Sequence, residues 1–368
     1  MMSTTLCKRG LLGAAAAAIV VYLGGMESAS ALEKVRLLIP VRNIDEAFSP
    51  FVVAKEKGYF ASEGYDVTLI AVGGSNEAAI QVSAGNAEVG AASPGEALVG
   101  VQSGKLDIRY FYGLYYSNIW SVAVLPDSPI KSLNDLKGKK LGVQSMGSAG
   151  TTFGRAFVQA AGLDPDMDIS FLPIGVGAQA VTSIRQKFVD GAVYWDAALA
   201  KFKFSGLGLR ELPVAENLRT LPDVGLLART QTIKGNPKML TAIGRAVAKG
   251  YDYSMANPKA AVLITWKAYP EAASKNPDAA AALVEGVTVN QARLGIWNTP
   301  KIGDKHGTLV PDDWNRLITF FVDQKVLPAP VSVDHVLTNQ FIDSINNYDR
   351  AAIINEATKD GSVKLGGG

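Results

Sequence analysis

Short runs rich in β-branched and aromatic residues alternate with amphipathic helical segments from Val35 to about Leu212. Such alternation is typical of α/β proteins with mostly parallel sheets, because parallel strands are joined by helical crossovers. We therefore predict an α/β fold. The predicted strands are Val35–Pro40, Asp66–Val72, Val89–Ala92, Ile108–Tyr112, Ser121–Leu125, Lys140–Val143, Ile169–Ile174, Gly191–Trp195 and Val224–Ala228.

Beyond the Asn236-Pro237 pair the pattern changes to consecutive helices, separated by further Asn-Pro and Tyr-Pro pairs. A helical segment of this length needs a surface to pack against. We expect the chain to leave a first lobe near Tyr116, build a second lobe, and return near Leu221. The predicted domains are a leader at 1–31, the first part of lobe 1 at 32–117, lobe 2 at 118–220, and the rest of lobe 1 at 221–368.

The first residues have the pattern of a secretory signal peptide. Lys8 and Arg9 precede the apolar run Leu11–Gly25, and Ala29-Ser30-Ala31 forms a small-residue cleavage site. The run is shorter than the roughly 20 residues that a membrane span needs. We expect cleavage after Ala31 and an exported protein. Cys7, the single cysteine, lies before the apolar run and would be removed.

Composition excludes several classes of protein. Of the 368 residues, 48% are hydrophobic and 19% are charged, which is enough to bury a large core. The net charge of +2 disfavours a nucleic-acid-binding protein. With one cysteine and two histidines, we expect no metal site, no cofactor and no catalytic residue. His306 and His335 lie in polar segments, so we expect both to be exposed.

Loops rich in Gly, Ser, Thr and Asn follow several predicted strands and precede helices. Helix N-termini offer unpaired N–H groups, and these loops gather at the carboxyl ends of parallel strands, where ligands bind. For any one such loop, ordinary helix capping is the better explanation; four such loops, in two lobes that face one cleft, make ligand binding an equally good one. Ser93 and Glu96 are spaced as a capping box, and Ser75 as an N-cap. The candidate binding loops are residues 72–76, 92–94, 144–152 and 174–179.

Aromatic residues and one arginine add to this interpretation. Tyr116 lies at the presumed crossover between lobes, and Trp195 ends a predicted strand. Aromatic rings in such places wall ligand pockets, although core packing accounts for them equally well. Arg42, just after the first strand, is placed to bind a carboxylate or sulfonate through two hydrogen bonds, unless it is simply a surface residue.

Several segments resemble a known family. The most diagnostic is S-L-N-D-L-K-G-K-K-L-G-V at 132–143, and further matches occur at 49–60, 63–67, 73–75, 89–94 and 189–192. Together they resemble the periplasmic substrate-binding proteins of ABC importers, of the nitrate/sulfonate/taurine (NitT/TauT) type. The resemblance covers most of the chain after residue 31, and it is specific for the fold rather than for the ligand.

The resemblance implies a two-lobed periplasmic-binding-protein fold, type II-like, that closes around a solute. The implied partner is an inner-membrane ABC permease with its ATPase, and we expect a monomer. The expected ligand is a small organic anion, such as a sulfonate or an aromatic carboxylate; nitrate or a pyrimidine-type compound is the alternative. A fold-related enzyme and a sensory ligand-binding module remain open. The implied binding residues are Arg42, Asn43, Phe48, Ser75, Asn76, Ser93, Tyr116, Ser145, Gly147, Thr151, Thr152 and Trp195.

Overall fold

The alternating segments form two five-stranded sheets. The structure is a computed structural model that describes residues 31–297, 303 and 305–360. The predicted leader, apart from Ala31, and its Cys7 lie outside these residues. The strands are β1 (Glu33–Ile39), β2 (Tyr65–Ala71), β3 (Val89–Ala92), β4 (Ile108–Gly113), β5 (Trp120–Val124), β6 (Lys139–Val143), β7 (Ile169–Pro173), β8 (Gly191–Trp195), β9 (Arg210–Glu211) and β10 (Gly225–Arg229).

Each sheet is mostly parallel. The first has the order β2-β1-β3-β10-β4, in which β1 is parallel to β2 and β3, while β10 is antiparallel to both β3 and β4. The second has the order β7-β6-β8-β5-β9, in which β5 is antiparallel to β8 and β9. One strand of each sheet therefore opposes the other four. The predicted α/β class is confirmed, and β9 is the strand that the sequence pattern missed.

Helices flank both sheets. The α-helices are α1 (Ser49–Glu56), α2 (Tyr59–Ser62), α3 (Ser75–Ser83), α4 (Pro94–Gln102), α5 (Ala149–Ala160), α6 (Gly177–Arg185), α7 (Asp196–Phe204), α8 (Glu216–Arg219), α9 (Thr230–Gly235), α10 (Pro237–Ala256), α11 (Pro258–Ala268), α12 (Ala279–Trp297), α13 (Pro311–Asp323), α14 (Val333–Val336), α15 (Ile342–Ile345) and α16 (Arg350–Lys359). Short 3-10 helices occupy Glu46–Phe48, Leu133–Leu136 and Pro270–Ala272.

The opposing strands are those that carry the chain between the sheets. After β4 the chain enters the second sheet with β5, and after β9 it returns to the first sheet with β10. This order of strands is what a first lobe split by a second one requires. The lobe boundaries at 117/118 and 220/221 stay a prediction.

Two of the three Asn-Pro pairs, at 236–237 and 257–258, begin C-terminal helices as expected, while α12 begins two residues after the third. The side chain of Asn236 accepts a hydrogen bond from the Met239 N–H (3.2 Å), and that of Asn257 accepts one from the Ala260 N–H (3.0 Å). In each pair the proline takes the first helical position, where its missing N–H costs nothing. The two caps therefore stop one helix and start the next within a few residues.

The expectation that both histidines are exposed is wrong for His306. Its ring is 2% exposed, and its Nε2 atom lies 3.0 Å from an Asp252 carboxylate oxygen. The Tyr348 hydroxyl donates to the other oxygen of Asp252 at 2.6 Å. The polar sequence around His306 gives no sign of this burial, because the residues that surround the His306 ring come from α10 and from the distant segment after α15. His335 is exposed as expected.

Candidate functional site

A partly enclosed chamber lies between the two sheets, at the ends of their strands. It has a volume of about 390 Å³, part of which is open to solvent. We call it the inner chamber. Residues near the first sheet that line it are Pro40, Val41, Phe48, Gly74, Ser75, Ser93 and Val224. The chain between β4 and β5, the second sheet and α12 provide Tyr115, Ile119, Trp120, Gln144, Ser148, Ala149, Trp195 and Arg293.

A second chamber of about 770 Å³ adjoins the first, and we call it the outer chamber. The two share Val41, Gln144 and Trp195 in their walls. The outer chamber carries charged side chains of both signs: Arg42, Asp45, Lys201 and Glu271. The Lys201 ammonium lies 2.9 Å from carboxylate oxygens of both Asp45 and Glu46, so its charge is offset. Arg42 is exposed and belongs to none of the ion pairs among the described residues.

The structure brings half of the predicted binding residues to these chambers. Phe48, Ser75, Ser93 and Trp195 line the inner one. Arg42 and Asn43 line the outer one, together with Trp195. The predicted residues that line neither chamber are Asn76, Tyr116, Ser145, Gly147, Thr151 and Thr152.

Tyr115 faces the inner chamber where Tyr116 was expected. The hydroxyl of Tyr116 donates to the Gly113 carbonyl at 3.4 Å, which turns its ring away from the chamber. Adjacent residues in extended chain point to opposite sides, so the pattern of aromatic residues alone does not distinguish the two. Asn76 lies in the first turn of α3 and is half-buried there.

The remaining predicted residues contact protein groups. The Thr152 hydroxyl donates to the Glu96 carboxylate at 2.7 Å, and the Ser145 hydroxyl approaches the Gly73 carbonyl at 3.5 Å. The Thr151 hydroxyl donates to the Ser145 carbonyl at 2.9 Å. The Gly147 carbonyl packs closely against Gly74: a Cβ atom added to Gly74 would lie 3.0 Å from the Gly147 carbonyl oxygen. These contacts join loop 144–152 to the first sheet's loops and α4.

The predicted capping box at Ser93 does not form. The Ser93 side chain makes no cap hydrogen bond, and Glu96 instead accepts from Thr152 on α5. The Ser93 N–H donates to the Ser75 hydroxyl (3.0 Å), and the Ser93 carbonyl accepts from the Tyr110 hydroxyl (3.2 Å). Ser75 therefore holds the backbone of Ser93 rather than capping α3. The Ser93 hydroxyl forms no hydrogen bond of ordinary geometry at the chamber wall, and its nearest polar neighbour is the Asp223 carboxylate.

Polar atoms without hydrogen-bond partners gather around the inner chamber. They are buried atoms of the described residues, and they belong to Ser93 (Oγ), Tyr115 (OH), Trp120 (Nε1), Gln144 (Nε2) and Asp223 (both carboxylate oxygens). Buried polar groups in folded proteins are nearly always paired, since an unpaired one costs about 1–3 kcal/mol. Such a cluster around one cavity indicates a place where a polar ligand completes the hydrogen bonding.

Asp223 is the most unusual member of this cluster. It is 1% exposed and lies behind the chamber wall, directly before Val224, which lines the chamber. Burial raises the pKa of its carboxyl group to about 7, against the opposing effects of the Ser93 hydroxyl and the Arg293 charge. The group is therefore poised to gain or lose a proton near neutral pH.

Arg293 is the charged residue in the wall of the inner chamber, and Asp196 neutralises it. The Arg293 Nε atom lies 3.2 Å from an Asp196 oxygen, and its Nη2 atom bonds to the other oxygen. Its guanidinium group also lies over the Tyr115 ring, 4.4 Å from the ring centre. One edge of the guanidinium group, formed by Nε and Nη2, is thus engaged by Asp196 within the protein.

Aromatic rings form the remaining wall. Trp120 and Trp195 meet edge to face with their centres 5.7 Å apart, and Trp120 stacks on Phe153 at 6.5 Å. Rings fixed in this way give a flat, rigid surface suited to a planar or aliphatic ligand.

Within the described residues no group of three His, Cys, Asp or Glu side chains is placed to hold a metal ion. None of the helices described is long and apolar enough to span a membrane.

Residues 45–261 match the family described as NMT1/THI5 like. This segment is more than half of the chain. The chain belongs to the NMT1/THI5-like family. The membership confirms the family resemblance noted from the sequence motifs.

Individual relatives agree with this membership. A binding protein of Brucella abortus is 29% identical over 222 residues, which are 58% of this chain and 66% of that protein, just under two thirds of its length. The riboflavin-binding protein RibY of Chloroflexus aurantiacus is 25% identical over 303 residues, 80% of this chain and 82% of RibY. The alkanesulfonate-binding protein SsuA of Xanthomonas axonopodis, bound to MOPS, gives a TM-score of 0.63 at 16% identity, covering 84% of this chain and 99% of SsuA. That likeness confirms the predicted periplasmic-binding-protein fold.

Proposed function

We propose that this chain is an exported solute-binding receptor that delivers a small organic molecule to an ABC importer. The observation that carries the proposal is the inner chamber. It lies between two sheets, has aromatic walls, and gathers unpartnered polar atoms from both sides. A ligand that pairs those atoms would be held by both sheets at once.

The relatives support this function. The Brucella protein and RibY are both described as binding proteins, and SsuA binds an alkanesulfonate. The implied partner is a permease with its ATPase, which would recognise the closed form of a monomeric receptor. The predicted leader at 1–31 supports a periplasmic location. We propose no metal, cofactor or catalytic residue.

The proposed mechanism is closure of two lobes, with boundaries at 117/118 and 220/221, around the ligand. Contacts that cross between the sheets support it. Thr152 on α5 binds Glu96 on α4, and Lys201 on α7 binds Asp45 before α1. Both are hydrogen bonds between polar side chains that water replaces readily on opening. Closure removes water from the ligand and presents one rigid surface to the permease.

The outer chamber supports the expectation that the ligand is an anion. Arg42 is exposed there, as a side chain that binds a sulfonate or carboxylate would be. In the inner chamber, Arg293 is already paired with Asp196. We therefore place the anionic end of the ligand at Arg42 and its ring against Trp195, which lines both chambers.

The test is a thermal-shift screen of the purified protein against sulfonates, aromatic carboxylates, nitrate, riboflavin and pyrimidines. A ligand that binds only the folded state raises the melting temperature. We expect at least one organic compound to do so, and native mass spectrometry of the freshly purified protein to identify any solute carried along. No shift with the whole panel at millimolar concentration contradicts the proposal. Turnover of a bound compound would instead favour an enzyme.

A further inference from the structure

The unpartnered polar atoms around the inner chamber differ in kind between its two sides. On the side of the first sheet they are the Ser93 hydroxyl in the wall and, behind it, the Asp223 carboxylate, which only accepts while it is ionised. With its proton directed to Asp223, the Ser93 hydroxyl is left to accept from a ligand. The Tyr115 hydroxyl, on the chain between β4 and β5, can donate or accept. On the side of the second sheet they are the Gln144 amide nitrogen and the Trp120 indole nitrogen, which donate. A ligand that satisfies both sides must carry a donor and an acceptor.

The accepting side is built from the ends of β3 and β10. Both backbone polar groups of Ser93 are engaged, so its hydroxyl is the group left to face the chamber. Asp223 is fixed by the bond from its N–H to the Tyr115 carbonyl (3.0 Å). Its carboxylate faces the Ser93 hydroxyl, which lowers its pKa, although the two form no hydrogen bond of ordinary geometry. Ser93 and Asp223 are each 1% exposed. This pair forms a buried acceptor that water does not reach freely.

Charge excludes a simple anion from this end of the chamber. The charged groups that act on Asp223 are Arg293, whose charge Asp196 offsets, and Asp196 itself. The hydroxyls of Tyr110 and Tyr115 also face it, and burial raises the pKa of both tyrosines, so they stay neutral. An anionic group here would be desolvated beside a carboxylate with no free cation to compensate it, which is costly.

We propose that the inner chamber binds an uncharged, planar amide-type group, with its N–H directed to the Ser93 hydroxyl, which the Asp223 carboxylate faces from behind the wall, and its carbonyl oxygen directed to Gln144 and Trp120. This inference rests on the proposed function as a solute receptor. An ammonium or amidinium group would satisfy Asp223 but would leave the two donors of the second sheet unpaired. A carboxylate would satisfy those donors but would oppose Asp223. An amide pairs both sides and so links the two sheets.

Three probes of one shape test this: benzamide, benzoate and benzamidinium. Binding is measured by calorimetry at pH 6 and pH 8 on the full protein and on Arg42→Ala, and the three probes are ranked in Arg42→Ala, where benzoate cannot use the anion site proposed in the outer chamber. We expect benzamide to bind best at pH 8, at least tenfold more tightly than either charged probe. A donor ligand binds the form in which Asp223 is ionised and holds the Ser93 proton, so a carboxyl that titrates near pH 7 makes benzamide bind up to about tenfold more tightly at pH 8 than at pH 6. Benzoate should show the opposite trend.

The variant Asp223→Asn keeps the shape and removes the charge. We expect it to abolish the pH dependence for benzamide and to reduce the preference over benzoate at least tenfold. The pH series on the unmodified protein gives the same answer if this variant does not fold. Tighter binding of benzamidinium or of benzoate at pH 8, or an unchanged preference in folded Asp223→Asn, overturns the inference.

The two proposals fail in different ways. If a compound of the thermal-shift panel binds while benzamide neither binds nor competes with it at millimolar concentration, the chain is a receptor and the amide subsite is wrong. If neither the panel nor any of the three probes binds, the receptor function itself is contradicted.

Discussion

The guanidinium group of Arg293 and the carboxylate of Asp196 form a two-point ion pair that joins α12 to the first residue of α7. Arg293 is 2% exposed and Asp196 is 22% exposed at its side chain. The pair brings the C-terminal helices against the end of β8, where Trp195 lies. It therefore fixes two walls of the inner chamber, Tyr115 beneath the guanidinium group and Trp195 beside Asp196.

Breaking this pair should destabilise the fold. Asp196→Asn leaves the buried Arg293 charge without its ion-pair partner, and we expect the free energy of unfolding to fall by roughly 2–4 kcal/mol, as when one partner of a buried pair is removed. Urea denaturation measures it. The matched control is Asp127→Asn, because Asp127 pairs with Lys187 at 3.5 Å on the surface, with both side chains at least 70% exposed. The control should change stability by less than about 1 kcal/mol. If the two substitutions change the free energy of unfolding equally, the buried ion pair does not stabilise the fold more than the surface pair does.

Asp223 should make stability depend on pH in a predictable direction. Its folded pKa of about 7 lies above its usual value, so between these two values the folded state holds a proton that the unfolded state has lost. Stability is greatest below the unfolded pKa and falls as the pH rises towards 7. Relative to Asp223→Asn, we expect the unfolding free energy to drop by roughly 2–3 kcal/mol between pH 5 and pH 8. Parallel curves for the two proteins, measured by denaturation in urea across this range, would contradict the prediction.

The strands and caps could be read from the sequence because local pattern determines them. The Asn-Pro caps and the alternating segments need only neighbouring residues, and they occur where the pattern placed them. The chamber depends on distant segments. Gln144 directly follows β6, so the rule that ligands bind at the carboxyl ends of parallel strands could have identified it. Asp223 and Arg293 carry no such local signal, because their partners lie far away in the chain.

Ser93 shows how a local rule fails for a tertiary reason. Its spacing to Glu96 fits a capping box, yet Glu96 finds a partner on α5, and the serine hydroxyl stays free at the chamber. Tertiary hydrogen bonds outweigh a cap of about 1 kcal/mol. The failure of the capping rule at Ser93 thus coincides with the candidate binding site.

Close packing of α10 on α1 should make Gly250 intolerant of any side chain. A Cβ at this position would lie 2.0 Å from the Pro50 carbonyl oxygen, so the two helices must separate. We expect Gly250→Ala to lower the unfolding free energy by about 2 kcal/mol or more, as overpacking against backbone does. Gly295→Ala is the control, because it is also helical and nothing lies within 4 Å of an added Cβ. The control should be neutral or stabilising by up to about 1 kcal/mol. Similar melting temperatures for both variants would show that α10 and α1 are not packed this closely.

Trp195 should contribute directly to ligand affinity, since its side chain lines both chambers. Replacing it with alanine removes the surface that a ring stacks on, and we expect affinity for any compound found in the thermal-shift screen to fall at least about tenfold, the loss of roughly 1.4 kcal/mol of contact. Trp195→Phe keeps a smaller ring and should give an intermediate affinity. Because Trp195 also packs on Trp120, the melting temperature of each variant is measured first, and binding is compared well below it. Phe188→Ala serves as the control, as that side chain is 59% exposed and lines neither chamber. If folded Trp195→Ala binds as tightly as the unmodified protein, Trp195 is a core residue, and the ligand lies elsewhere.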